Sequence, residues 1–135
     1  MERELTKVIL VVEDDLAICE MYEDQFTDLV VKPKLVSPLT MLVVKDAMAA
    51  MDKIGTYPID ILVCDGSIPT GDGRSRFPHP DNGEAVMQYA TERGIPTRIC
   101  VSNNYEFRDT MMAKGFATHV ADKHAVLGMI HNREI

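Results

Sequence analysis

Short apolar runs alternate with amphipathic stretches along most of the chain. Lys7 to Val12 (K-V-I-L-V-V) is an aliphatic, β-branched run and predicts a buried strand. Leu16 to Val30 carries Ile18, Tyr22, Phe26 and Leu29 at helical spacing with acids between them, an amphipathic helix with Asp15 as its N-cap. Val31 to Thr40, with Pro33 and Pro38, reads as an irregular connection, although Ser37-Pro38 is an alternative opening for a longer helix. Met41 to Val44 predicts the next strand, and the Ala- and Met-rich stretch Asp46 to Ile54 a helix closed by Gly55. Ile61 to Cys64 is a continuous apolar run that ends abruptly in Asp65 and is stopped by Gly66, Ser67 and Pro69. Runs of this kind belong to parallel strands covered on both faces.

Thr70 to Asn82 has two Gly, two Pro and no periodicity, which predicts a long loop; loops of this length tend to be functional or mobile. Gly83 to Arg93 resumes helical character, with Val86, Met87 and Ala90 inward and Gly94 as the stop. Pro96 to Ser102 predicts a fourth strand. Tyr105 to Lys114 predicts a helix with Phe107, Met111 and Met112 apolar, closed by Gly115. Ala117 to Ala121 predicts a fifth strand, and Ala125 to His131 a last helix with Val126, Leu127 and Ile130 apolar. Five strands alternating with five helices predict an α/β fold: a parallel sheet, helices on both faces, right-handed crossovers. No internal repeat and no second-domain boundary is visible.

At 135 residues, 46% of them hydrophobic, the chain fits one domain with a real core. A net charge of −7 argues against non-specific nucleic-acid binding and suits a cation site. No apolar run is long enough for a membrane span, and Met1 to Thr6 is too polar for a secretory signal. Cys19, Cys64 and Cys100 are odd in number and set in apolar surroundings. They read as buried free thiols in a reducing cytoplasm.

The candidate chemistry stands where the strands end. In open α/β sheets ligands bind at the carboxyl ends of the strands. Strand one ends in Glu13 and Asp14, strand three in Asp65, strand four in Ser102 and strand five, past Asp122, in Lys123. Three convergent carboxylates repel one another unless a cation sits among them, and oxygen ligands suit Mg2+. A phosphoryl group fits the remaining parts: the metal and Lys123 neutralise its oxygens, Ser102 donates a hydrogen bond, and Asp65 is the nucleophile. Taken singly, Glu13-Asp14-Asp15 is a solvated cap and Ser102 is structural. Their matching positions favour a site. Arg74, Arg76 and His79 read as a solvated loop, and the four histidines lack metal-ligand spacing.

The sequence resembles the receiver domain of two-component response regulators. V-I-L-V-V-E-D-D at 8–15 is similar to the first strand and acidic pair, and D-I-L-V-C-D-G-S-I-P at 60–69 to the phospho-acceptor strand. V-S at 101–102 and D-K at 122–123 are similar to the serine/threonine and lysine strands. The four motifs fall in order and span essentially the whole chain. The resemblance implies one domain over 1–135 with a loop insertion around 70–82. Its fold would be flavodoxin-like (CheY-like): a doubly wound five-stranded parallel sheet in the order 2-1-3-4-5. It also implies Asp65 as phospho-acceptor, Mg2+ held by Glu13, Asp14, Asp65 and the Ser67 backbone carbonyl, and Ser102 and Lys123 on the phosphoryl group. Ser67 and Asn104 would be the variable positions that tune the lifetime of the acyl phosphate.

Further implications are a histidine kinase or phosphotransfer protein as donor, a downstream protein target, and a cytoplasmic place in a phosphorelay. A homodimer is compatible; direct nucleic-acid contact and membrane insertion are not expected. The domain would be no enzyme beyond its own phosphorylation and dephosphorylation. The chain ends soon after the fifth helix, so output by docking or phosphorelay is expected, with excision from a larger regulator or hybrid kinase as the alternative.

Three departures stand against the pattern. His124 replaces the proline that normally follows the lysine, so a trans bond is expected, because a cis bond without proline costs roughly 3–4 kcal/mol. His119 or Val120 stands where an aromatic is usual. The loop after Asp65 is about ten residues longer than the family norm. The first two departures favour a non-phosphorylated interaction module as the alternative, which the complete set of acids, Ser102 and Lys123 opposes. A hydrolase of the aspartyl-phosphate type would want a second aspartate at position 67, which is Ser67.

Overall fold

The computed structural model describes residues 7–30, 39–73 and 77–132. The reading of Ser37-Pro38, most of the 31–40 connection, and Arg74 and Arg76 lie outside these residues. The elements are β1 (Lys7–Val12), α1 (Leu16–Val30), β2 (Leu39–Val44), α2 (Ala47–Thr56), β3 (Ile61–Cys64), α3 (Pro80–Glu92), β4 (Thr97–Cys100), α4 (Tyr105–Ala113), β5 (His119–Val120) and α5 (Val126–His131). All strand pairs are parallel, and the order is β2-β1-β3-β4-β5. This is the architecture that alternating strands and helices predict.

Strand side chains alternate between two cores, which explains the unbroken apolar runs. Leu10, Val12, Leu62, Cys64 and Cys100 face a core built with α2, α3 and Met111 of α4. Ile9, Val11, Ile61, Val63, Ile99 and Val101 face the other, with Tyr22 of α1 and Val126, Leu127 and Ile130 of α5. At the fully buried strand positions, such as Leu10, Val11, Leu62 and Val63, a polar residue would forfeit roughly 1.5–3 kcal/mol of burial. All three cysteines are buried and free, as expected.

Several boundaries move, each for a local reason. α2 runs through Gly55 to Thr56, so Gly55 does not end it; the helix stops where Tyr57 turns extended ahead of Pro58. β5 has only two paired residues, not the five expected. Of the three apolar residues read on α4, Met112 is exposed; the buried pair on this helix is Arg108 and Met111. The loop after β3 is shorter than 70–82. His79 caps α3, Pro80 occupies its first turn, and residues 80–82 are helical.

That loop is pinned at its base. Ile68 forms an isolated antiparallel bridge with His79. The Asn82 side-chain amide donates to the Ile68 carbonyl and the Thr70 hydroxyl. The first N–H groups of α2, from Ala47 and Met48, donate to the carbonyls of Pro69 and Thr70. Such N–H groups have no partner inside their own helix, so the loop satisfies them.

Candidate functional site

The parallel ladder delivers the site residues to one edge of the sheet. Past the ends of β1, β3, β4 and β5, one more backbone bond fixes the next residue. Glu13 N–H donates to Val44 C=O, and Asp65 N–H to Val12 C=O. Val101 N–H donates to Cys64 C=O, and Ala121 N–H to Cys100 C=O. Asp15 then turns the chain into α1, its carboxylate accepting from the N–H groups of Ala17 and Ile18, the expected N-cap.

Five of the residues read from the sequence meet here. The Lys123 ammonium donates to Glu13 Oε1 at 2.9 Å and to Asp65 Oδ2 at 3.1 Å. Carboxylate oxygens of Glu13, Asp14 and Asp65 all lie within 4.8 Å of one another. Asp65 Oδ1 accepts from Gly66 N–H at 2.7 Å. Ser102 is buried, and its hydroxyl accepts from Asn104 N–H. A Cβ on Gly66 would fall 2.9 Å from Ser102 Oγ and 3.0 Å from ring carbons of Phe107. Gly66 therefore lets both groups close on the loop that carries Asp65. None of the described peptide bonds is cis, so Lys123–His124 is trans, and the lysine still reaches both acids.

The electrostatics follow from burial. Glu13 is 1% exposed, and its carboxyl is pushed up to about 8, first by burial and then by its hydrogen bond to Asp65, against the opposing pull of Lys123. Burial also raises Asp14, with the Asp65 charge adding to it. Burial works against the charge on Lys123, but its bond to Glu13 and the nearby Asp65 charge outweigh that and hold it above the usual lysine range. Glu13 Oε2 is buried and has no hydrogen-bond partner. An orphaned carboxylate oxygen beside two other carboxylates is a donor set of hard oxygens, and it fits a small divalent cation such as Mg2+.

Other expectations meet the structure less directly. Ser67 is exposed beside Asp65. The Asn104 side chain caps α4, accepting from Phe107 N–H, so its amide is engaged in the helix start. His119 pairs with the Thr118 hydroxyl. Sequence reasoning missed two residues. Gly83, in the first turn of α3, lies so close to the Asp65–Gly66 backbone that a Cβ would sit 2.0 Å from Gly66 O. Arg108 is 8% exposed and bonds the backbone on both sides of the pocket. Its sequence signal was an arginine three positions before Met111, on the inward face of a helix.

No protein-family model and no curated protein matches the chain. Solved structures do. The chain is similar to a CheY-like response regulator receiver domain from Methanospirillum hungatei JF-1, with TM-score 0.67 and 18% identity over 96% of this chain and 94% of that one. It is similar to the receiver domain of a sensor histidine kinase from Pseudomonas aeruginosa PAO1, which has a magnesium ion coordinated in its active-site cleft. There the TM-score is 0.66 and the identity 17%, over 96% and 97% of the chains. A third is a response regulator from Thermotoga maritima in complex with Mg2+-BeF, with TM-score 0.62 and 17% identity over 86% and 85%. The chain has the fold of response-regulator receiver domains, the CheY-like arrangement of a five-stranded parallel sheet in the order 2-1-3-4-5.

Proposed function

We propose that the chain is a phospho-accepting signalling domain. Asp65 takes a phosphoryl group from a phosphohistidine on a kinase or phosphotransfer protein, or from a small acyl phosphate. The observation that carries this reading is the Lys123 ammonium shared between Glu13 and Asp65, which lie 110 and 58 positions away in the chain. Glu13, Asp14 and Asp65, with the Ser67 carbonyl, would hold Mg2+, the ion coordinated in the similar Pseudomonas aeruginosa domain. Bound there, the ion would neutralise phosphoryl oxygens and so stabilise charge in the transfer.

The chain's own groups supply the rest. An Asp65 carboxylate oxygen attacks phosphorus; the new P–O bond forms as the bond to the donor breaks, and the donor leaves with the electron pair. Transfer removes one negative charge from Asp65 and places the phosphoryl oxygens beside it. Lys123 then contacts one of these oxygens, and Ser102 donates its hydroxyl to another. Attack by water restores Asp65 and releases inorganic phosphate. The chain thus catalyses only its own phosphorylation and dephosphorylation. It signals by docking to a downstream protein, as a monomer or homodimer, in the cytoplasm. No described helix is long and apolar enough to cross a membrane.

Incubation with Mg2+ and acetyl phosphate, followed by intact-mass measurement, tests this. One covalent PO3 group is expected on the wild type and none on Asp65→Asn. A wild type that takes no adduct and binds no Mg2+ is an interaction module of the same fold. Steady turnover of phosphate esters would indicate a hydrolase.

A further inference from the structure

Arg108 has no part in the transfer just described, yet it is, with Glu13, one of the two charged side chains buried among the described residues. A guanidinium is costly to bury unless its donors are satisfied. Here Nε donates to Ser102 C=O, and Nη2 donates to Ala121 C=O at 3.1 Å and to Asp122 Oδ1 at 3.0 Å. The Tyr105 ring covers the group, with its centroid 5.0 Å from Cζ. The Asp122 side chain is 71% exposed, so its ion pair with Arg108 is largely screened. The two backbone carbonyls are the buried partners.

Those carbonyls flank the pocket on both sides. Ser102 carries the candidate phosphoryl-contacting hydroxyl, and Ala121 and Asp122 lead directly into Lys123. β5 pairs with β4 over only two residues, and the bond from Ala121 N–H to Cys100 C=O is the last backbone link between these segments among the described residues. Beyond that point no ladder sets the distance from Ser102 to Lys123. The planar fork of one arginine from α4 does so, bonding both segments at once.

We propose that Arg108 is a positioning residue. It holds Ser102 and the Ala121–Lys123 turn in register where the β4–β5 ladder has run out, and it ties the start of α4 to the state of the pocket. The proposal rests on the phospho-acceptor reading for its consequence, but its geometric content can be measured without phosphate. Lysine offers a point charge on a flexible stem in place of the planar guanidinium, so Arg108→Lys keeps the charge and loses the fork.

The test compares wild type, Arg108→Met, Arg108→Lys and Asp122→Asn. In the metal-free protein, the Lys123 ammonium 15N signal and the Ser102 and Asp65 amide signals are followed by NMR, with thermal melts as the folding control. Both Arg108 variants should shift the Lys123 and Ser102 signals and expose the ammonium to faster exchange, while Asp122→Asn leaves them in place. With Mg2+ present, beryllofluoride affinity should fall about tenfold in Arg108→Met, the loss of roughly one charge-assisted hydrogen bond. Mg2+ affinity alone should change less than about twofold. Arg108→Lys should recover only part of the beryllofluoride loss. Unmoved Lys123 and Ser102 signals in folded Arg108→Lys overturn the positioning role whatever the phosphate results. A wild type that binds Mg2+ but no beryllofluoride instead overturns the acceptor reading, and the NMR arm still decides Arg108.

Discussion

Substituting Gly83 by alanine sets two known effects against each other. Alanine in a helix is favoured over glycine by roughly 0.5–1 kcal/mol, so the exchange ought to stabilise α3. The structure opposes it. A Cβ at this position would lie 2.0 Å from the Gly66 carbonyl oxygen, 2.7 Å from its carbon and 2.8 Å from Asp65 O. These are backbone atoms of the loop that carries the acceptor, so no side chain can swing aside. To reach ordinary contact the helix start and the loop must separate by about 1 Å or more. Overpacking of this kind costs roughly 1–3 kcal/mol, which exceeds the propensity gain. The expected net effect is a loss of about 1–2 kcal/mol, or roughly 3–8 °C in melting temperature for a domain of this size. Asp65 labelling by acetyl phosphate should slow by about ten- to a hundredfold, since displacements near 1 Å at a reacting group have that effect. Gly128, in α5, is the internal control: nothing lies within 4 Å of its would-be Cβ. Gly128→Ala should therefore stabilise by about 0.5–1 kcal/mol and leave labelling unchanged. If Gly83→Ala melts at or above the wild-type temperature, the close approach of α3 to the acceptor loop is wrong.

The remaining predictions concern charge and capping. Glu13 holds its proton to about pH 8 in the folded chain but releases it near its ordinary value of 4.5 when unfolded. Between these values the unfolded state binds fewer protons, so stability contributed by this group is present at low pH and lost as pH rises, by at most about 1.4 kcal/mol per pH unit. Urea unfolding from about pH 5 to 8 should show this decline, and Glu13→Gln should flatten it; an unchanged slope in that variant would place the titration elsewhere. Mg2+ affinity should rise over the same interval, because the cation competes with the Glu13 proton, and calorimetry in buffers of different ionisation enthalpy should register proton release on binding. Asp46 caps α2 by accepting from Ala49 N–H at 2.7 Å, so Asp46→Ala should cost about 1 kcal/mol in urea, with Asp46→Asn nearly neutral; equal losses would mean that the carboxylate charge, not the cap, matters.

Much of the fold was legible because its strands are buried on both sides. A parallel sheet with two covered faces forces unbroken apolar runs, and Val11, Leu62 and Val63, all fully buried, could hardly be read otherwise. The site was legible for a related reason: Glu13, Asp14, Asp65 and Lys123 are polar residues at or just past the points where such runs stop. Periodicity alone cannot locate ends set by single contacts. β5 was over-extended because the sequence around it is apolar for packing, while only two of its residues find ladder partners. The loop after β3 was over-counted because Pro80 and Asn82 look like turn residues, yet the first opens α3 and the second bonds back to Ile68.

Local patterning along the chain, then, determined which segments form strands and helices, which faces are buried and which acids stand at strand ends, since each of these depends on near neighbours and a repeating period. Only tertiary structure decided that Arg108 bonds the backbone on both sides of the pocket, that Gly83 must lack a side chain, and that Lys123 lies between Glu13 and Asp65. Those facts depend on distances between atoms far apart in the chain, which hydrophobic periodicity does not encode.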